Sequence, residues 1–425
     1  MRFACVLAAT VIAGSAIAAP QFPFPHHAAY ARGTLKPNHR TQVQLDQDVR
    51  DFYAWWKSQY LVQDGTEPDG QPRYRIRANT DGNGNTVSEA QGYGITIVSL
   101  MAGEDPAAQT IVDGLWEYFN DHRSGIDPRL MTWNVTAGGQ AQYGNNSAYD
   151  GDADLALGLL IASAQWGNNG RIDYRAKALD IAAGQAASVT GPVSRLPMLG
   201  DWVAPDGSQY NQWTVRPSDF MPAHFLNFQS FASNGVVWAQ VIAATGAAIE
   251  HLQTYAPTSH LVPDFAIRES AGSSTLKPAN PGFLEGPHDG DYNYNAGRVP
   301  WRLATHALLH GDGRAAVQAY RMSSWIQTAT GGNASLIRPG YTLAGTPITT
   351  SYFTSFFAAP FGTAAMVGTG QQAWLNAVYD SVRSRHEGYY EDSVNLLCLL
   401  LMSGSYWDPV SVDRIFQDGL HRVAQ

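Results

Sequence analysis

From Asp46 to Met402 the chain keeps returning to one pattern: apolar residues spaced three and four apart, then a long stretch of Gly, Pro, Asn and aromatic residues. That spacing places apolar side chains on one face of an α-helix. Runs of this kind occur at about 46–61, 89–103, 106–121, 150–166, 173–188, 218–233, 235–252, 296–310, 314–328, 354–368, 371–384 and 391–402, which makes about twelve helices. Between alternate runs lie the segments 124–148, 189–217, 258–295 and 329–352. Connections of that length inside a compact domain usually carry function. Helices joined in pairs, with their long loops gathered at one end, can close into a toroid whose inner helices form the core and whose loop face holds a cleft. No fixed sequence period marks a solenoid array, and no break in composition marks a second domain. Residues 43–425 are therefore expected to form one all-α domain, with 19–42, rich in Pro and His, as an extended lead-in packed on its surface.

The first eighteen residues combine a basic start at Arg2, an apolar run and the small-residue site Ala16-Ile17-Ala18. This reads as a secretory signal peptide, and the run is too short and too Ala-rich for a membrane span. The expectation is a secreted protein with no membrane partner. Cys5 lies in that segment and leaves Cys398 alone in NLLCLLLM, where a buried, inert thiol is expected. A formal net charge of −9 argues against nucleic acid as a partner, because that affinity comes from clustered Lys and Arg. Twelve Trp, twenty Tyr and sixteen Phe either fill a core or offer flat platforms for sugars.

Acids stand at the mouths of several runs. In TVSEAQGYG (86–94), Glu89 opens an apolar helix, and the Ser/Thr-x-x-Glu/Gln spacing fits a capping box. Asp150, Asp152 and Asp154 crowd into five residues before LALGLLIASAQWG, more carboxylates than one N-cap needs. At least one should face a ligand, a metal or another acid; calcium is disfavoured because DGDAD lacks the later glycine and acid of a calcium loop. A third group, Glu285, Asp289 and Asp291, sits on the glycine- and aromatic-rich loop GFLEGPHDGDYNYNAG. The chain has no HExxH, no GxSxG and no phosphate loop, and its histidines are scattered, so no metal or cofactor is expected. Separated carboxylates, abundant aromatics and secretion together point to glycan hydrolysis.

Eight stretches in order resemble glycoside hydrolase family 8: WWKSQYL from Trp55, VSEAQGYG from Val87, LMTW from Leu130, NSAYDGD from Asn146, RPSDF from Arg216, YNAGRVPWR from Tyr294, APF from Ala359 and YYEDS from Tyr389. The resemblance implies an (α/α)6 barrel and inversion at the anomeric carbon. It also implies that Glu89 is the general acid and that Asp150 distorts the sugar and contacts the water. Ala90 and Tyr149 depart from the family's usual Gly and Ser/Thr beside these acids. Asn295 stands where many members carry the base as Asp; the Asn-bearing subgroup, which includes chitosanases and some β-glucanases, places a Glu on the preceding loop, which implies Glu285, with Asp289 and Asp291 as fallbacks. Glu89 sits at a helix start that favours its anion, so burial and an ionised Asp150 are expected to keep it protonated. Trp133, Trp202 and Tyr352 are the candidate stacking residues, and Asp219 and Arg298 are expected to position substrate or catalytic groups. The expected partner is a β-1,4-linked polysaccharide met by a monomer: chitosan, drawn by an acidic cleft, or cellulose, with mixed-linkage β-glucan as the alternative. A non-catalytic glycan-binding protein on the same barrel is the reading from another class.

Overall fold

A computed structural model describes residues 18–79 and 84–412; the expected signal segment thus lies outside the described residues, except for Ala18. Twelve α-helices are present among them, one for each apolar run: α1 (Gln42–Tyr60), α2 (Ser88–Leu100), α3 (Ala108–Asp121), α4 (Tyr149–Trp166), α5 (Tyr174–Ser188), α6 (Pro222–Phe231), α7 (Gly235–Leu252), α8 (Val299–His310), α9 (Gly313–Ala329), α10 (Ser355–Ala365), α11 (Gln372–Val382) and α12 (Tyr389–Ser403). Boundaries moved where local chemistry overrode periodicity. Helix α1 starts at Gln42 because Thr41 and Gln44 form a reciprocal capping box. Helices α6 and α8 start late, since a 3-10 turn precedes each, at Pro217–Asp219 and Ala296–Arg298.

The even-numbered helices pack in sequence, α2 on α4, α4 on α6, and so on until α12 meets α2. This closed inner ring is sheathed by the odd-numbered helices, giving the (α/α)6 barrel. Burial follows from that arrangement. Every residue of α10 is buried, as is every residue of α2 except Glu89. A helix apolar all round belongs in a core. Outer helices bury one stripe only; in α1 it runs through Leu45, Val49, Phe52, Trp56 and Tyr60. Three short antiparallel strand pairs, not foreseen from periodicity, decorate the loops of the described residues, the first of them β1 (Leu61–Thr66) with β2 (Pro72–Ile76). One joins β3 (Thr86–Val87) to β4 (Asn134–Val135) and fastens the long 124–148 loop to the start of α2.

The lead-in has no helix or strand up to Thr41 and crosses the far end of the barrel. Its backbone N–H groups at Gln21, Phe24, Ala28, Ala31 and Leu35 donate to the carbonyls of Gln165, Ala102, Gly404, Leu308 and Met366, at 2.7–3.0 Å. Those carbonyls lie at the C-terminal ends of five of the six inner helices. The opposite end of the ring, where the inner helices begin, holds the acids.

Candidate active site

Glu89, Asp150 and Arg298 come from the starts of three inner helices and meet at one guanidinium. Arg298 Nη1 donates to Glu89 Oε2 at 2.7 Å and to Asp150 Oδ2 at 2.6 Å. Tyr389, at the start of α12, donates to Glu89 Oε1 at 2.9 Å. The capping-box reading of Glu89 is thereby corrected: α2 has Val87 as its N-cap with no side-chain cap bond, and the carboxylate turns to Arg298 instead. Burial is the largest influence on Glu89 and pushes its carboxyl up to about 7; Arg298 pulls it down, ionised Asp150 pushes it up again, and the Tyr389 bond lowers it. Burial would also raise Asp150, but Arg298 and then Arg216 outweigh it and hold that carboxyl below its ordinary value. Two adjacent acids are thus driven apart, one toward the proton and one toward the charge.

The other two acids of the α4 cluster have separate fates. Asp154 takes a two-point ion pair from Arg302, at 2.8 and 2.6 Å, and a bond from His224 at 2.7 Å. Asp152 accepts the Met131 N–H at 2.9 Å, and burial drives its carboxyl well upward. Both are sealed in the core.

Glu285 faces the same cavity as Glu89. That cavity, about 220 Å³, is lined by both glutamates together with Trp133, Asp150, Arg216, Tyr294, Asn295, Arg298 and Tyr390. Glu285 is half exposed and accepts from Asn295 Nδ2 at 2.8 Å and from Arg216 Nη2 at 3.3 Å. The fallback acids are otherwise engaged. Asp289 accepts the backbone N–H groups of Leu284, Glu285 and Gly286, at 2.6, 3.1 and 2.9 Å, so it shapes the loop that presents Glu285. Asp291 pairs with His288 at 2.9 Å. Asp219 is a correction to the substrate-contact reading: at 1% exposure it lies behind the wall, 3.6 Å from Arg216 and 3.8 Å from Arg298. It completes an alternating line of carboxyl and guanidinium groups, Glu89, Arg298, Asp219, Arg216, Glu285, which positions the two cavity glutamates; burial pushes Asp219, like Glu89, up to about 7.

The cleft continues past Glu285. A neighbouring cavity of about 460 Å³ shares Trp133, Ala148, Arg216 and Glu285 and extends to Tyr143, Asn146 and Trp202. The β3–β4 pair and the bond from Ser88 N–H to the Trp133 carbonyl, 2.9 Å, set Trp133 beside Glu89. Trp202 packs edge-on to Tyr210, which packs edge-on to Phe283 on the Glu285 loop. Tyr352 lines neither cavity; its exposed ring is joined to one of them through its hydroxyl, 2.9 Å from that of the cavity residue Tyr294. Ala90 and Tyr149, the departures beside the acids, are wholly buried and line neither cavity. Sequence reasoning gave no role to Arg216, Tyr389 or Asp264. Each had a faint signal: a lone cation in an aromatic loop, paired tyrosines heading an apolar helix, and one acid in the apolar run LVPDF.

An (α/α)6 barrel that brings a proton-holding carboxyl at an inner-helix start and a solvent-facing carboxylate on a loop into one aromatic cleft defines a glycoside hydrolase of the acid/base type. The chain belongs to glycosyl hydrolase family 8, a family of inverting enzymes, whose model matches residues 46–404. A β-glucanase of Niallia circulans is 42% identical over 95% of this chain and 96% of its own length. An endoglucanase of Bacillus sp. strain KSM-330 is 36% identical over 97% of this chain and 87% of its own. The solved apo structure of a β-1,3-1,4-glucanase from Paenibacillus sp. X4 superimposes with a TM-score of 0.86 at 41% identity, covering 92% of this chain and 100% of that one.

Proposed function

We propose that this chain is a secreted, endo-acting β-glucanase that cleaves internal β-1,4 bonds of mixed-linkage β-1,3-1,4-glucan and, more slowly, of β-1,4-glucan. Glu89 gives its proton to the glycosidic oxygen as the C–O bond breaks. Glu285 takes a proton from the water whose oxygen attacks the anomeric carbon on the opposite face, and Asp150 lies beside the sugar whose glycosidic bond is broken, its ring staying closed. The observation that carries this reading is that Glu89 and Glu285 line one cavity without bonding each other, each on its own arginine. An inverting pair must leave room for water between base and sugar.

Charge balance favours a neutral polymer over chitosan. With Glu89 protonated, the lining holds Asp150 and Glu285 against Arg216 and Arg298. No acidic excess is left to draw a cationic sugar. A cleft that runs on from the two glutamates into a second cavity supports cutting within a chain, and the name of the endoglucanase relative agrees. Secretion follows from the signal-like start and from a polymeric substrate that does not cross a membrane.

The test is reducing-end release from lichenan, carboxymethylcellulose, chitosan and xylan, with proton NMR of the first product. Lichenan cut fastest and an α-anomer appearing first are expected. A β-anomer first would overturn the mechanism, and chitosan outpacing both glucans would overturn the substrate.

A further inference from the structure

Asp264 lines no part of the cleft, yet it is tied to the residue that holds Glu285. It is 4% exposed. Its Oδ1 accepts the backbone N–H groups of Asn293 at 2.9 Å and Ala296 at 2.7 Å, which fixes the turn entering α8. Its Oδ2 faces Asn295 Nδ2 at 3.5 Å, and that same nitrogen donates to Glu285 Oε2 at 2.8 Å. An amide nitrogen carries two hydrogens, so Nδ2 can serve both carboxylates at once. The amide oxygen can serve neither.

We propose that Asp264 is a positioning residue for the base: its carboxylate selects the Asn295 orientation that donates to Glu285, and so holds Glu285 against the cavity. This rests on reading Glu285 as the base. Two backbone bonds alone do not require an acid there, since an asparagine oxygen would accept both. A buried carboxylate costs desolvation that an amide does not incur, and burial is what pushes Asp264 up to about 7 while the backbone N–H groups pull it down. The charge has a use only at Oδ2, where it meets Asn295. Asp264→Asn keeps the shape and the Oδ1 bonds but turns a donor toward Asn295. The amide of Asn295 then flips to offer its oxygen, and Glu285 loses the donor on Oε2, keeping only Arg216 on Oε1.

Glu285→Gln, Asp264→Asn, Asn295→Leu and the Asp264→Asn/Asn295→Leu double variant of the full chain are assayed on lichenan for kcat and KM, with thermal midpoints. Misplaced catalytic groups cost on the order of 10- to 100-fold. That fall in kcat is expected for each of Asp264→Asn and Asn295→Leu, with KM changed less than about twofold. The double variant should be no worse than Asn295→Leu, because both changes remove one link and their effects do not add. Losses that multiply would mark Asp264 as merely structural and overturn the proposal. Full turnover in Asn295→Leu would overturn it as well, whatever Asp264→Asn does. Ordinary turnover in Glu285→Gln would fell the base reading and this inference together, whereas an inactive Glu285→Gln beside a fully active Asp264→Asn would fell this inference alone.

Discussion

At the scale of single residues, the site is a problem of keeping one proton among several charges. Arg298 occupies Oε2 of Glu89, so the proton belongs on Oε1, the oxygen that Tyr389 faces. An acid must be protonated to act, so kcat/KM is expected to fall as pH rises through about 7, the value to which burial lifts Glu89. The hydroxyl of Tyr389 stabilises the anion; removing it favours the proton. Tyr389→Phe should therefore move the alkaline limb of the pH profile to higher pH, while kcat drops because the carboxyl is held less firmly. A limb that stays put or moves down would assign the titration to another group. The acids of the 282–291 loop divide in the same way by partner. Glu285→Gln should lower kcat by about 10²–10⁴-fold, whereas Asp291→Asn, which loses only the pairing with His288, should stay within a few-fold of the parent on the same lichenan assay. The reverse ranking would move the base to Asp291.

At the scale of elements, the distance between Glu89 and Asp150 is set by how closely α2 and α4 approach. They touch through glycines. A Cβ on Gly151 would stand 2.2 Å from Ser88 Oγ and 2.5 Å from the Glu89 nitrogen, and one on Gly92 would stand 2.7 Å from the Gly151 carbonyl. Gly151→Ala should thus push the start of α2 off α4, costing about 1–3 kcal/mol of stability as overpacking does. A displacement of about 1 Å at the acid should cost roughly 100-fold in kcat. Chemical denaturation and lichenan turnover check both, and an unaffected kcat would show that the helix start yields without moving Glu89. The helices themselves were legible in the sequence because burial on a 3.6-residue period leaves a local mark. Glu89, Asp150 and the acids of the Glu285 loop stand out in the sequence because they sit where apolar or glycine-rich segments begin, but the choice of Glu285 over Asp289 and Asp291 rests on the family resemblance. What could not be read was their pairing. Nothing near Asp219 says that it would be buried between Arg216 and Arg298, and nothing near Trp202 says that its ring would pack through Tyr210 onto the Glu285 loop. Those contacts join segments far apart in sequence, and only closure of the ring brings them together. The strand pairs escaped notice for a different reason: four of the six strands have only two or three residues, and the other two do not alternate buried with exposed positions.

At the scale of the whole molecule, the barrel is polarised along its axis. All inner helices begin at the cleft, where their positive dipole ends face the carboxylates, and end where the lead-in crosses. Each helix leaves its last carbonyls without partners inside the helix. Residues 18–41 contain Arg32, Lys36 and Arg40, three histidines and no acid, so their charge suits the negative ends they cover, and five of their N–H groups bond there directly. Phe24 pins the crossing, 5% exposed, with the Arg50 guanidinium 5.2 Å above its ring. It lies at the opposite end of the barrel from Glu89, and this separation gives a clean test of what the lead-in does. Phe24→Ala removes a buried aromatic ring, which costs about 3–5 kcal/mol where the surroundings cannot collapse. The thermal midpoint should fall by several degrees. Turnover of lichenan well below that midpoint should hold within about twofold, because no residue of the strap lines the cavity. If kcat fell with the midpoint, the far ends of the inner helices would be shown to set the cleft geometry, and the strap would count as part of the catalytic framework instead of a clasp that keeps the ring closed.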